Sequence, residues 1–534
     1  MATHTTCWAT SAVAGRLRDG PSTSRRRPAT RSASAAGAAR SWPALTGHDY
    51  TEAQAQFHRA LALARALGEP TALAHSLNRV GNWYANAEQP ESSLAYHQEA
   101  LAIFEQRADL AGRATTLDLL GMASALAGDL VACAHHAAQA ITPFRDLGDR
   151  QGLIGALLGS TMPAIYETDT LVAAWGPAEA SANCAQALAL AREIGWRSGE
   201  AYALAMVGET LAAQGNYARA LDALREGLAL AEEIEHPQWA IQTLRGLAGL
   251  HTDILALPPA HAEYERALAL AREIGSPLWI GDITGALAAL LVAQGALADA
   301  EAMLGEVLDA TTPTRSLGHR QLWCARAELA LARGDPALAL AILDRLYAAA
   351  ANLRDEGDIP RLARLKGTAL ATIGEAERAE RLLRGGLRTA EALGLAASRW
   401  RLYVALGDLH RQQDRPDDAA HAHMTARRLV AELAAATPEG DLREGFTRAA
   451  LTLLSPLAAR RAAREAHGGL TTREREVAAL IARGSTNREI AAALSVGDRT
   501  VETHVSNILA KLNCTTRAQI ATWATERRLV PPIS

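Results

Sequence analysis

Lysine, cysteine, aromatic residues and β-branched runs are all scarce in this 534-residue chain, and each shortage removes a class of explanation. Lys366 and Lys511 are its two lysines. A phosphate-binding loop of the form GxxxxGK followed by Ser or Thr needs a lysine behind a glycine-rich turn, reaching the β and γ phosphates. Lys366 precedes Gly367 and Thr368 but has no such turn before it, and Lys511 lies in a helical stretch. Neither makes an ATP site, and no cofactor is expected. The five cysteines (Cys7, Cys133, Cys184, Cys324, Cys514) are odd in number and form no CxxC pair. That excludes a disulfide framework or a zinc knuckle and fits a reducing cytoplasm. Cys133, His135 and His136 share one helix without a second ligand pair, so no metal site is expected. Neither GxSxG nor HExxH occurs, and the chain is read as a non-enzyme. The nearest thing to a membrane span, Gly285 to Ala293, is cut by Gln294 and Asp299, so no membrane partner is expected.

With aromatic residues at 4%, hydrophobic residues at 49% and charged residues at 21%, the composition is that of a folded chain. Alanine is roughly a fifth of it and leucine is abundant, which favours helix nearly throughout. The formal net charge is −4, too small for general attraction to nucleic acid. Its distribution is uneven. Residues 1–46 carry seven arginines, Arg25, Arg26 and Arg27 among them, against one aspartate, and residues 470–534 are also basic, leaving the middle acidic. The first 46 residues have no apolar segment behind their charge and read as a disordered leader or an arbitrary start.

Related stretches begin at Ala60, Ala100, Ala187, Gly227 and Ala267, separated by 40, 87, 40 and 40 residues. The 87 is two periods plus seven residues, placed near Thr161 to Pro177. Between these copies fall Gly128-Asp129, Gly215-Asn216, Gly295, Gly334-Asp335, Gly374-Glu375 and Asp414, again about forty apart. Glycine after an apolar periodic run is the left-handed helix stop, and an adjacent Asp or Asn caps the next helix. Each period is therefore a helical hairpin with one apolar stripe per helix. Stacked hairpins bury these stripes continuously, so residues 47–436 are expected to form an all-α superhelical solenoid with a concave inner surface. Trp83, Trp239, Trp279, Trp323 and Trp400 each fall in the first helix of a unit, as anchors in a ligand groove or as core filler.

Residues 437–469 keep a stripe (Leu442, Phe446, Ala450, Leu453, Leu457), end in Arg460, Arg461 and Arg464, and close on a Gly468-Gly469 hinge. From Leu470 to about residue 530 four short helices are expected. Thr471 to Glu474 and Thr486 to Glu489 are capping boxes. Asp498 is placed as the cap of a third helix carrying Val501, Val505, Ile508 and Leu512, stopped at Asn513, and Thr516 opens a fourth. A helix, a short turn with glycine and a second helix is the helix-turn-helix, whose second member enters the major groove. At 100° per residue the four apolar positions face inward, which turns Arg499, Thr503, Ser506 and Ala510 outward with Glu502 and Asn507 beside them. Arg499, His504 and Lys511 at the margins, with Asn487 and Arg488 on the preceding helix, are placed for phosphates.

The run from LTTREREVAALIARG through STNREIAAALSVGDRTVETHVSNILAKLNCTTRAQ resembles the LuxR-type helix-turn-helix at nearly every patterned position. The array resembles the tetratricopeptide-like repeats upstream of that domain in maltose-type and large ATP-binding LuxR regulators. The resemblance implies binding to double-stranded promoter DNA, with groove contacts at Glu502, Thr503 and Ser506. Gly497 stands where a capping Ser is usual, and Glu502 where many members have Lys. It also implies an array that receives a ligand or protein partner, and RNA polymerase as a further partner. The nucleotide-binding module of those regulators is missing here. A homodimer on an inverted repeat is expected through Ile520 and Trp523, although Trp523 serves equally to close the small core. The competing reading is an interaction scaffold with a vestigial reader.

Overall fold

The computed structural model describes residues 50–162, 169–454, 469–470, 472–494, 497–512 and 514–526. The expected leader, Thr471, Asn513, Leu457, Arg460, Arg461, Arg464 and Gly468 lie outside these residues. Among the described residues there are 24 α-helices and no strand.

Twenty of the helices, from Tyr50–Leu67 to Asp441–Leu453, form the array. Most are 17 residues long and begin twenty residues apart, at Pro70, Pro90, Leu110, Leu130 and Arg150, and again from Pro177 to Leu297. The forty-residue period is thus two half-units with near-identical connections. The middle residue of each three-residue connection is left-handed. Gly128, Gly148, Gly215 and Gly275 supply it where glycine is present, but Glu88, Ala108, Glu235 and Leu255 occupy it at φ between +50° and +58°. Glycine punctuation therefore revealed only some of the connections. A side chain at positive φ costs roughly 1–2 kcal/mol, which fixed helices on both sides hold in place. Asp109, Asp129, Asp149 and Asp335 cap the following helices, accepting a backbone N–H at 2.9–3.0 Å. Asn216 makes no such bond, and Asp414 takes the left-handed place itself, leaving Arg415 at the cap.

Within a hairpin, a small residue on the first helix admits the side chain sixteen positions later on the second. A Cβ at Gly81 would lie 2.8 Å from the His97 ring, one at Gly208 2.4 Å from Leu224, and one at Gly407 2.5 Å from His423. The expected seven-residue insertion falls between helix Arg150–Gly159, which stops after ten residues, and the helix starting at Pro177. Trp83, Trp239, Trp279, Trp323 and Trp400 are at most 7% exposed, so these five fill the core. Helix Pro277–Gln294 is long and apolar enough to cross a membrane, contrary to the reading of the sequence. Trp279, Ile283 and Leu287 bury it in the array instead, and Gly285 brings its backbone against that of helix Leu317–Ala332.

The solenoid does not stay open. Its successive turns touch, joining residues 192 to 228 positions apart: Ser316 donates to Glu88 at 2.6 Å, Asn352 to Asp129 at 2.7 Å and Arg361 to Asp169 at 2.9 Å. The Ala218 amide likewise donates to the Ala436 carbonyl at 2.9 Å. Arg320, fully buried, is held by the carbonyls of Thr170, Thr314 and Leu346, and burial lowers its pKa to about 10. Lys366 is buried between Asp344 and Glu356, each 2.6 Å away. Helix Asp441–Leu453 belongs to the array: Phe446 and Ala450 share a core with Leu221 and Leu429, so the stripe packs on an earlier repeat as well as the last. Leu453, expected in that stripe, is exposed.

Candidate nucleic-acid interface

Four helices make the C-terminal unit: Thr472–Ala482, Asn487–Ala493, Asp498–Leu512 and Arg517–Glu526. Val477, Ile481, Ile490, Val501, Ile508 and Ile520 form its core. The second helix starts in a capping box: Thr486 Oγ1 accepts the Glu489 amide at 3.3 Å, and the Glu489 carboxylate accepts the Thr486 amide at 2.7 Å. The Thr486 amide and hydroxyl, both donating to that carboxylate, hold it below its usual range. Gly497 precedes the third helix, and its carbonyl accepts the amides of Thr500 and Val501. Asp498 is thus its first helical residue, beyond the capping position expected of it. Gln519 accepts from the Thr515 and Thr516 amides at 2.7 and 3.0 Å and starts the fourth helix.

Opposite buried Val501 and Ile508, the third helix exposes Arg499, Glu502, Thr503, Ser506, Asn507 and Ala510, the face derived from the 100° periodicity. His504 is half-buried at its edge and Arg488 is exposed on the second helix. Thr503 Oγ1 donates to the Arg499 carbonyl at 2.9 Å, so the hydroxyl hydrogen is used and an acceptor lone pair and a methyl remain.

Three expected site residues stand differently. Lys511 is turned into the unit, its ammonium bonded to both carboxylate oxygens of Glu474, which is 3% exposed. Asn487 Oδ1 accepts from Arg517 at 2.7 Å, and its helix is only seven residues long. Ile520 is completely buried and unavailable for a contact between copies without unfolding the core. Trp523 is partly buried against that core. The ties through Glu474 and Arg517 were missed in the sequence, because their partners are 37 and 30 residues distant and no local pattern joins them.

Residues 469–524 match the family described as bacterial regulatory proteins, luxR family. The C-terminal unit is a LuxR-type DNA-binding domain. Residues 46–106 and 201–235 match tetratricopeptide repeats, so the LuxR-type domain follows an array of that kind. The transcriptional regulatory proteins YhcZ and LiaR of Bacillus subtilis are 48% and 47% identical over 71 and 64 residues. Those stretches cover 13% and 12% of this chain and 33% and 30% of theirs. An HTH-type transcriptional regulator of Mycobacterium tuberculosis is 25% identical over 535 residues, covering 91% of this chain and 52% of its own length. The chain therefore spans about half of that relative. Among solved structures, the Rap protein complexed with competence and sporulation factor aligns with 76% of this chain and 99% of its own, at 11% identity and a TM-score of 0.45.

Proposed function

We propose that the chain is a cytoplasmic, sequence-specific transcription regulator: the LuxR-type domain reads promoter DNA, and the tetratricopeptide-like array receives a ligand or protein partner. The observation that carries the reading is the short, polar, exposed face of the third helix. Its small side chains let the backbone approach base edges. Thr503 offers an acceptor and a methyl, Glu502 an acceptor for a cytosine amino group, and Ser506 and Asn507 further groups; Arg499, Arg488, His504 and the Asn487 amide face phosphates. Lys511 serves chiefly to hold the third helix against the first. Two copies on an inverted repeat supply the affinity that one small reader lacks, with Trp523 the remaining candidate for their contact. RNA polymerase is the partner through which DNA-bound copies act.

Selection of the full-length protein on random duplexes tests this reading. A single motif with two inverted half-sites is expected. Thr503→Ala relaxes it at one position, at a cost of roughly 1–3 kcal/mol for the preferred base. Recovery of no motif at moderate salt would instead favour a repeat scaffold with a vestigial reader.

A further inference from the structure

Where the turns of the array face each other they form a half-open cavity of about 320 Å³. Its lining joins Trp175, Asp253 and Leu255 of one stretch of the array with Arg361, Arg364 and Arg401 of another. That volume is at the small end of ligand sites. Much of the lining is apolar, including Leu257, Leu290, Ala289 and Leu395.

The cavity's arginines are unequally neutralised. Arg245 is paired with Asp282 at 2.8 Å, both nearly inaccessible. Arg361 has Asp169 at 2.9 Å and Glu328 at 3.3 Å. Arg401 has Asp253 at 3.2 Å and stacks over Trp400. Among the described residues Arg364 is ion-paired with Glu328 alone, at 3.8 Å, and that carboxylate is already shared with Arg361. Its side chain is 30% exposed while lining the cavity. Burial, opposed by Glu328, and the like charges of Arg401 and Arg361 lower its pKa. An arginine offers five N–H donors in a fork suited to paired anionic oxygens. One such fork, weakly neutralised and beside two more guanidinium groups, fits an incoming anion.

We infer that this cavity binds a small amphiphilic anion, its charged oxygens on Arg364 and its apolar body along Leu255, Leu257 and Leu290. The inference rests on the array being the receiving part of the regulator, and it narrows the signal to a carboxylate- or phosphate-bearing molecule. Because the lining comes from stretches of the array far apart in sequence, an occupant bridges them and favours the closed winding.

The test uses the full-length protein with 8-anilinonaphthalene-1-sulfonate as a fluorescent amphiphilic anion. Saturable binding near one per chain is expected, displaced by octanoate or octyl phosphate but not by octanol. The tighter competitor identifies the head group. Arg364→Gln should weaken the probe at least tenfold while leaving its uncharged relative N-phenyl-1-naphthylamine unaffected, and Ala289→Phe should weaken both. Displacement by neither anion, or an unchanged affinity in folded Arg364→Gln, would overturn the assignment. If Arg364→Gln does not fold, equal displacement by octanoate and octanol in the unaltered protein overturns it. Binding is read without DNA, so failure of the regulator reading, seen as no selected motif, is distinguishable from failure of the cavity assignment.

Discussion

Lowering the pH from 7.5 to 5 should loosen one hairpin of the array, Pro70–Gln106, through a single buried imidazole. His97 is fully buried and held against Gly81. Asn78 donates its amide to Thr116 Oγ1 at 2.8 Å, so its carbonyl oxygen faces His97 Nδ1 at 2.9 Å and that nitrogen carries the hydrogen. Nε2 has no partner. Protonating it would create a buried N–H without an acceptor, and burial accordingly lowers the pKa from 6.5 to about 3. The folded state then binds fewer protons than the unfolded one between those values. Stability is complete above about pH 6.5 and falls as pH drops toward 3. At pH 5 the loss is about 2 kcal/mol, or about thirtyfold in the local opening equilibrium. Hydrogen exchange of peptides from residues 70–106, corrected for intrinsic exchange, should show that drop in protection. His97→Gln, which cannot take the proton, should abolish it whatever its absolute stability. Buried His236, its pKa lowered to about 4, lies elsewhere and keeps its own acid response as an internal control. An equal drop over residues 70–106 in His97→Gln would refute the reasoning.

Glycine at the left-handed connections gives a second expectation. Ala108→Gly and Glu235→Gly, both at exposed positions with positive φ, should stabilise the array by about 0.5–1 kcal/mol, since relief of backbone strain exceeds the entropy glycine adds to the unfolded chain. Gly148→Ala meets open space and should show backbone strain alone, whereas at Gly128 a Cβ would lie 2.6 Å from the Arg315 carbonyl of the next turn. A thermal midpoint that falls no further for Gly128→Ala than for Gly148→Ala would deny that the turn contact matters. In the reader, Lys511→Met should lower the stability of the LuxR-type domain and leave the salt slope of DNA binding nearly unchanged, while Arg499→Ala should reduce that slope by about one. Salt titrations of mobility shifts distinguish the two; the opposite pattern would put Lys511 on phosphate.

How much was legible beforehand depended on the distance over which each feature is encoded. The helical hairpins, their forty-residue repeat and the outward face of residues 499–510 follow from short-range periodicity and local capping, which a single chain segment carries in full. So does the kinship of the C-terminal unit, whose capping box at Thr486 and inward positions Val501 and Ile508 stand where the pattern put them. The twenty-residue half-unit was hidden because Glu88, Ala108, Glu235 and Leu255 adopt a backbone shape their residue types do not advertise. Packing of the neighbouring helices imposes it. Whether a residue faces a partner or its own domain was equally hidden: Lys511 and Ile520 are decided by Glu474 and by the closure of the core, contacts made across the folded chain. The winding of the array belongs to the same class. Small rotations between adjacent helices accumulate until residues about two hundred positions apart meet, and only that closure converts an open concave surface into a cavity around Arg364.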